Sequence, residues 1–315
     1  MEEYSSSTLP PVRTCKILRR SIFIFLRNYQ FFTSTAAILA FPFAASTLLA
    51  QALVNTPSSS PLLLTIHARL KSLFYAAGFP VPSEFISILN WKISQTISTS
   101  FFVLPVTLSF FLLAKGAIIQ ELRNSNTAMI FAYLPLVKTQ LWNFLLIFCA
   151  NATFFSIIFL AFNILDALGL NNSNSLLIIS ASSAVLYSIM LANTVIICNL
   201  ALILSGSEMK GGYMSILRAC ILIKGRTATA MSLMVAINIA QAALEALFQY
   251  RILRAYYHSD TFPGLASEAI LIAYLYAIVL VLETIIGFVF FQSCNSSCMK
   301  DVSAIVCSKT VDEFP

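Results

Sequence analysis

Two carboxylates interrupt apolar runs of this chain. In IAQAALEALFQYR, residues 239–251, Glu245 stands with Gln241 and Gln249 one helical turn to either side, and in LVLETIIGF, residues 280–288, Glu283 stands by itself. A carboxylate in hydrocarbon is costly, so each marks one of two things. It is a proton- or solute-binding group in a polar cavity, or an acid that hydrogen-bonds to a neighbouring helix. Asn238, Gln241, Glu245 and Gln249 are spaced three, four and four apart and form one stripe along a helix. Lipid disfavours such a face, which is expected to turn toward protein or water.

Depth separates the two acids. Glu245 falls roughly 6–8 Å from the outer end of its helix, shallow enough for water or a basic neighbour. Arg251 is six residues on and points elsewhere, so the expected partner is Arg254 or another helix. Glu283 falls roughly 20 Å from the outer face. No Lys or Arg lies inside any of the apolar runs delimited below, so desolvation is expected to keep it protonated and donating. Asn151 and Asn193 are the polar neighbours expected nearest the same depth.

No other chemistry assembles. The motifs HExxH, GxSxG, the P-loop and the dinucleotide fingerprint are missing. His67 and His258 fall in outer segments without carboxylates at ligand spacing. The tyrosines of YRILRAYYHSD, residues 250–260, fit an interfacial belt better than a substrate vestibule. An intramembrane enzyme needs a nucleophile, a base and charge stabilisation in one place, and that set is not there. Neither catalysis, a metal nor a cofactor is expected.

The elements that position the acids are legible from composition. Of 315 residues, 58% are hydrophobic and 10% charged, and the mean hydropathy is +0.85. Soluble domains carry about 25% charged residues. Six apolar runs, at 31–54, 93–114, 141–165, 176–204, 228–248 and 269–291, are long enough to cross roughly 30 Å of hydrocarbon. They lack the alternation of barrel strands, so an all-α polytopic fold with six transmembrane helices is predicted. Residues 1–29 read as a segment with a basic interfacial helix, 30–293 as the membrane domain and 294–315 as a tail. Arg13, Lys16, Arg19, Arg20 and Arg27 break up the first 29 residues, so a cleaved signal peptide is not expected.

Alternating the sides places fourteen of the nineteen basic residues on one face of the membrane, Lys115 among them. Arg69, Lys71, Lys92, Arg251 and Arg254 fall on the other. The positive-inside bias then predicts both termini in the cytoplasm. The net charge of +6 is a topology signal that anionic lipid accounts for, and no basic segment joins a soluble fold for nucleic acid. None of the seven cysteines falls in an outer loop, so no disulfide framework is expected. Cys294 and Cys298, just past the last run, are palmitoylation candidates. Asn171 opens a formal glycosylation sequon that lies very near the membrane.

Three basic stretches look alike: ILRRSIFIFLRNYQFF, MIFAYLPLVKTQLWNF and SILRACILIKGRTATA. Each sets about ten mostly apolar residues before Arg27, Lys138 or Lys224, and a spanning run follows. That suits a short interfacial helix turning into the membrane. Arg19, Arg20, Arg27, Lys138, Lys224 and Arg226 are the expected lipid-headgroup contacts. The pattern admits three hairpin repeats, each introduced by such a helix. In LLLTIHARLKSLF, Leu63, Ile66, Leu70, Leu73 and Phe74 share one face of an outer helix. Pro42 and Pro105 should kink the first two spans or loosen their hydrogen bonds.

RTCKILRRSIFIFLRNYQFF and CNLALILSGSEMKGGYMSILRACILIKGRTATA, residues 198–230, carry a resemblance. They resemble a plant family of six-span membrane proteins of unknown function. That family is distantly similar to the membrane domain attached to some bacterial glycerophosphodiester phosphodiesterases. The resemblance implies a six-helix membrane fold and brings no catalytic residues, since the phosphodiesterase chemistry belongs to a soluble barrel. A non-catalytic multi-pass protein that organises lipids or partner proteins is therefore expected, in an endomembrane such as the endoplasmic reticulum ahead of the plasma membrane. The alternative is a transporter or channel with Glu283 in its polar path.

Overall fold

A computed structural model of the chain describes residues 10–55, 61–76, 84–123, 129–167, 173–209, 211–254 and 264–311. His258 and the Asn171 sequon lie outside them. Among the described residues there is no strand. Helices α1 (Pro10–Arg27), α2 (Tyr29–Thr35), α3 (Phe41–Asn55) and α4 (Pro61–Ala76) come first. They are followed by α5 (Glu84–Val106), α6 (Leu112–Arg123), α7 (Met129–Ala167) and α8 (Ser173–Glu208). The last are α9 (Tyr213–Ile223), α10 (Thr227–Phe248) and α11 (Leu265–Val311). Six stretches are long and apolar enough to cross a bilayer: Tyr29–Ala50, Val103–Arg123, Tyr133–Ala161, Ala181–Glu208, Thr227–Ile252 and Leu265–Ser296. The protein is an all-α, six-span membrane protein.

The second span corrects the sequence reading. It runs to Arg123, about nine residues beyond the expected end, so Lys115 lies inside it. The stretch left behind, ISQTISTS, is polar on most of its positions, whereas LLAKGAII is apolar on either side of its single lysine. A charge was read as a boundary where it is an interior feature.

Wide turns with i→i+5 hydrogen bonding stand at Ala36–Ala40, between α2 and α3, at Thr107–Phe111, between α5 and α6, and at Gln249–Leu253, after α10. Proline supplies no N–H and crowds the carbonyl four residues back, which for Pro42 is Ile38, inside the first of them. Pro105 instead precedes the second by two residues, and the third has no proline. Of the three expected interfacial helices, α1 and α9 are separate elements. The second is instead continuous with its span, as the first turns of α7 around Pro135.

Helix α11 runs through the centre of the molecule, touching α1, α3, α6, α8 and α10. Its middle is buried on most of its circumference, with Ala277, Val281 and Ile285 at 1% exposure or less. Small residues let neighbours approach: Ala36, Ala40 and Ala44, four apart, are buried in the same core. The return helix of each hairpin, α6, α8 and α11, touches the other two. These three form the inner core, and outgoing helices pack around it. Helix α1 lays Ile17, Ser21 and Phe25, four apart, toward that core and leaves Arg19, Arg20 and Arg27 exposed. Helix α4 buries Leu63 beside α5, with Ile66, Leu70 and Phe74 half-buried, and turns Leu73 outward.

The glycine-containing loop between α8 and α9 is clamped onto α7. Thr139 Oγ1 donates to the Pro135 carbonyl at 2.9 Å, pairs with Ser205 Oγ at 2.9 Å and accepts from the Gly212 amide at 2.9 Å. Gly212 sits at φ +102°, and a Cβ at Gly211 would meet the Pro135 carbonyl oxygen and lie 2.6 Å from its Cα. SGSEMKGGY is thus a backbone-to-backbone packing motif whose glycines have steric reasons.

Candidate intramembrane polar site

Glu283 is the centre of a four-helix hydrogen-bond network. Asn199 on α8 donates from Nδ2 to Glu283 Oε1 at 3.0 Å, and Gln241 on α10 donates from Nε2 to Oε2 at 3.1 Å. Both carboxylate oxygens have a donor, so Glu283 accepts from its neighbours where it was expected to donate. Lys115 on α6 donates from Nζ to Asn199 Oδ1 at 3.1 Å and lies 4.5 Å from the centre of the Phe111 ring. Its side chain is buried, at 2% exposure. A cation and an acid are therefore linked across the inner core through one asparagine amide. Only an amide offers an acceptor and a donor side by side, which suits a lysine on one flank and a carboxylate on the other.

The spacing of this triad is regular. Lys115 and Asn199 are 84 residues apart, and so are Asn199 and Glu283. Each comes from the return helix of a different hairpin, and Gln241 joins them from the outgoing helix of the third.

A cavity of about 40 Å³ adjoins the network, bounded by Lys115, Asn199, Glu283 and Thr284 and otherwise by apolar side chains such as Leu200, Met234 and Phe290. It has room for on the order of one to three waters.

The expected neighbours lie elsewhere. Asn151 accepts from Tyr187 Oη at 3.3 Å, tying α7 to α8. Asn193 is exposed and six residues before Asn199, about 9 Å along the helix. Helices α7 and α8, which carry them, are 39 and 36 residues long and exceed the bilayer, so distance from a loop does not give depth for either.

The expected stripe on α10 divides. Gln241 reaches Glu283, and Glu245 accepts from Tyr276 Oη on α11 at 3.1 Å, while Asn238 and Gln249 are exposed on the outside. At 100° per residue the stripe covers about 80° of the helix circumference, and α11 covers only the Gln241–Glu245 edge. The partner of Glu245 is a tyrosine, and Arg251 pairs with Glu268 at 2.9 Å.

Among the headgroup candidates, Arg19, Arg20, Arg27, Lys138 and Lys224 are exposed. Arg226 is half-buried and donates from Nη1 to the Ser293 carbonyl at 3.3 Å, fastening the start of α10 to α11. Cys294 is buried at 3% exposure, which leaves no room for an acyl chain on its sulfur. Cys298 lies on the continuing helix.

A family model covers nearly the whole length, residues 7–313. The chain belongs to the family described as a domain of unknown function (DUF8558). The matched region includes all six spans and every member of the polar network. No curated protein and no solved structure is similar enough to be matched.

Proposed function

We propose that the protein is a non-catalytic membrane protein that organises anionic lipids, and through them partner proteins, at the cytoplasmic face of an endomembrane. The observation that carries this reading is the closure of the Glu283 network. Both oxygens of the acid are engaged, its counter-charge is built in, and the adjoining cavity is too small for a solute beyond water. The polar centre then serves to lock the repeats together. What remains for function is the end of the bundle where Arg19, Arg20, Arg27, Lys138 and Lys224 are exposed. The excess of Lys and Arg at that end supports both termini being cytoplasmic even with Lys115 removed from the tally. Each basic residue near an anionic surface adds about 1 kcal/mol of attraction.

The test is the lipid that co-purifies with the protein, quantified by mass spectrometry. Arg19→Gln/Arg20→Gln/Lys224→Gln should lose most of its anionic lipid while keeping its fold. Retention equal to the parent protein counts against this reading. The second reading, transport, is favoured by one observation, the cavity beside Lys115 and Glu283. It requires proton or solute flux into proteoliposomes that Glu283→Gln abolishes.

A further inference from the structure

We infer that the recess between α8, α9 and the start of α10 is a specific site for one anionic phospholipid, with Lys224 holding the phosphate. This deepens the lipid-organising reading and rests on it. The recess is about 320 Å³, and Lys224 and Thr227, neighbours at the start of α10, line it with Asn193, Ile196, Ile197 and Ile223. Lined by a cation and a hydroxyl as well as by apolar side chains, it has the chemistry of a lipid where headgroup meets acyl chain.

The position agrees. Lys224 lies in the turn that joins α9 to α10, directly before the span Thr227–Ile252, so it stands at headgroup level. Its side chain is exposed, and among the described residues it has no carboxylate partner, whereas Arg218 pairs with Glu208 and Arg251 with Glu268. A phosphate diester supplies the missing charge, and the Thr227 hydroxyl can donate to its oxygens.

The apolar wall continues past the recess. Ile196 and Ala230 border both it and the small cavity, so the two are contiguous along the seam between α8 and α10. Those helices touch sparsely compared with the α7–α8 or α10–α11 pairs. An acyl chain would lie over the outside of that seam, alongside Ile196 and Ala230. It covers an inter-helix gap that protein leaves open and seals the Lys115–Glu283 network from the side. A bound lipid would thus complete the third repeat.

The experiment uses the full chain in phosphatidylcholine vesicles containing phosphatidylserine with a photoactivatable acyl chain. Cross-linked adducts are expected on the 196–200 and 230–237 segments. Lys224→Gln should lower them about fivefold while adducts on lipid-facing α7 stay constant. Millimolar glycerol phosphate should not compete, which identifies the membrane lipid and not a free phosphate as the occupant. Ala230→Trp, which fills the seam without touching charge, should also remove the adducts. Adducts spread evenly over all outer helices, adducts insensitive to Lys224→Gln and Ala230→Trp, or displacement by glycerol phosphate would each overturn the site. Total co-purified anionic lipid, measured in parallel, separates the failures. If it persists when the adducts are unspecific, the site is wrong and the broader reading stands.

Discussion

Lys115 and Glu283 are joined across the inner core through Asn199, which accepts from the lysine at 3.1 Å and donates to the acid at 3.0 Å. The three lie on the three return helices at equal sequence intervals, and the lysine is almost fully buried. Burying an ion costs several kcal/mol, which geometry and hydrogen bonding must offset. Here the offset comes from the amide, the Phe111 ring and the nearby acid. Such an arrangement selects one register of α6, α8 and α11 over those slipped by a turn, because only one brings donor to acceptor.

Removing one partner strands the other. Lys115→Met and Glu283→Gln are each expected to destabilise the protein by about 3 kcal/mol. The double variant should recover at least about 1 kcal/mol relative to their sum. Thermal unfolding of the purified proteins in detergent micelles checks this. Simple additivity would mean that the two groups do not sense each other.

The clamp between α7 and the glycine loop predicts a steric phenotype far from any charge. Gly211→Ala must push its methyl into the Pro135 backbone, which cannot move as a flexible side chain can. A loss of about 1–3 kcal/mol follows, read in the same unfolding assay. Gly225→Ala meets no neighbouring atom and tests the backbone alone, since Gly225 sits at φ +84°. It should cost about 1 kcal/mol.

Cys294 should not carry a lipid. Its sulfur is packed in the core beside the start of α10, so acyl-exchange labelling is expected to be the same in Cys294→Ser as in the parent. A loss of label in that variant would show that the end of α11 leaves the bundle.

Much of the fold was written in apolar run lengths, because hydrocarbon leaves the backbone few options. Six runs gave six spans, and Pro42 announced the wide turn before it. The site was only half legible. Glu283 and Gln241 were visible as polar residues in apolar surroundings. Lys115 was hidden by its own charge, which made it look like the end of a span. Asn199 is not distinguishable from Asn151 and Asn193 by depth, because α7 and α8 are longer than the bilayer and distance from a loop does not fix depth. The signal that finds both is the repeat: the interval from Glu283 back to Asn199 recurs once more and lands on Lys115. Basic anchors alone give uneven spacings, because the first hairpin carries the extra helix α4 between its two arms.

The most direct test of a closed network is water access at Thr284, which is 2% exposed, borders the cavity beside Glu283 and leaves the network intact when replaced. In a background lacking the native cysteines, Thr284→Cys is labelled in intact membranes from each side with a small membrane-impermeant thiol reagent, with Lys224→Cys as the exposed control. The account predicts that Lys224→Cys reacts from one side and Thr284→Cys from neither. Reaction of Thr284→Cys at a rate near that of the control would show an aqueous path to Glu283, and would contradict the closed, structural role assigned to it.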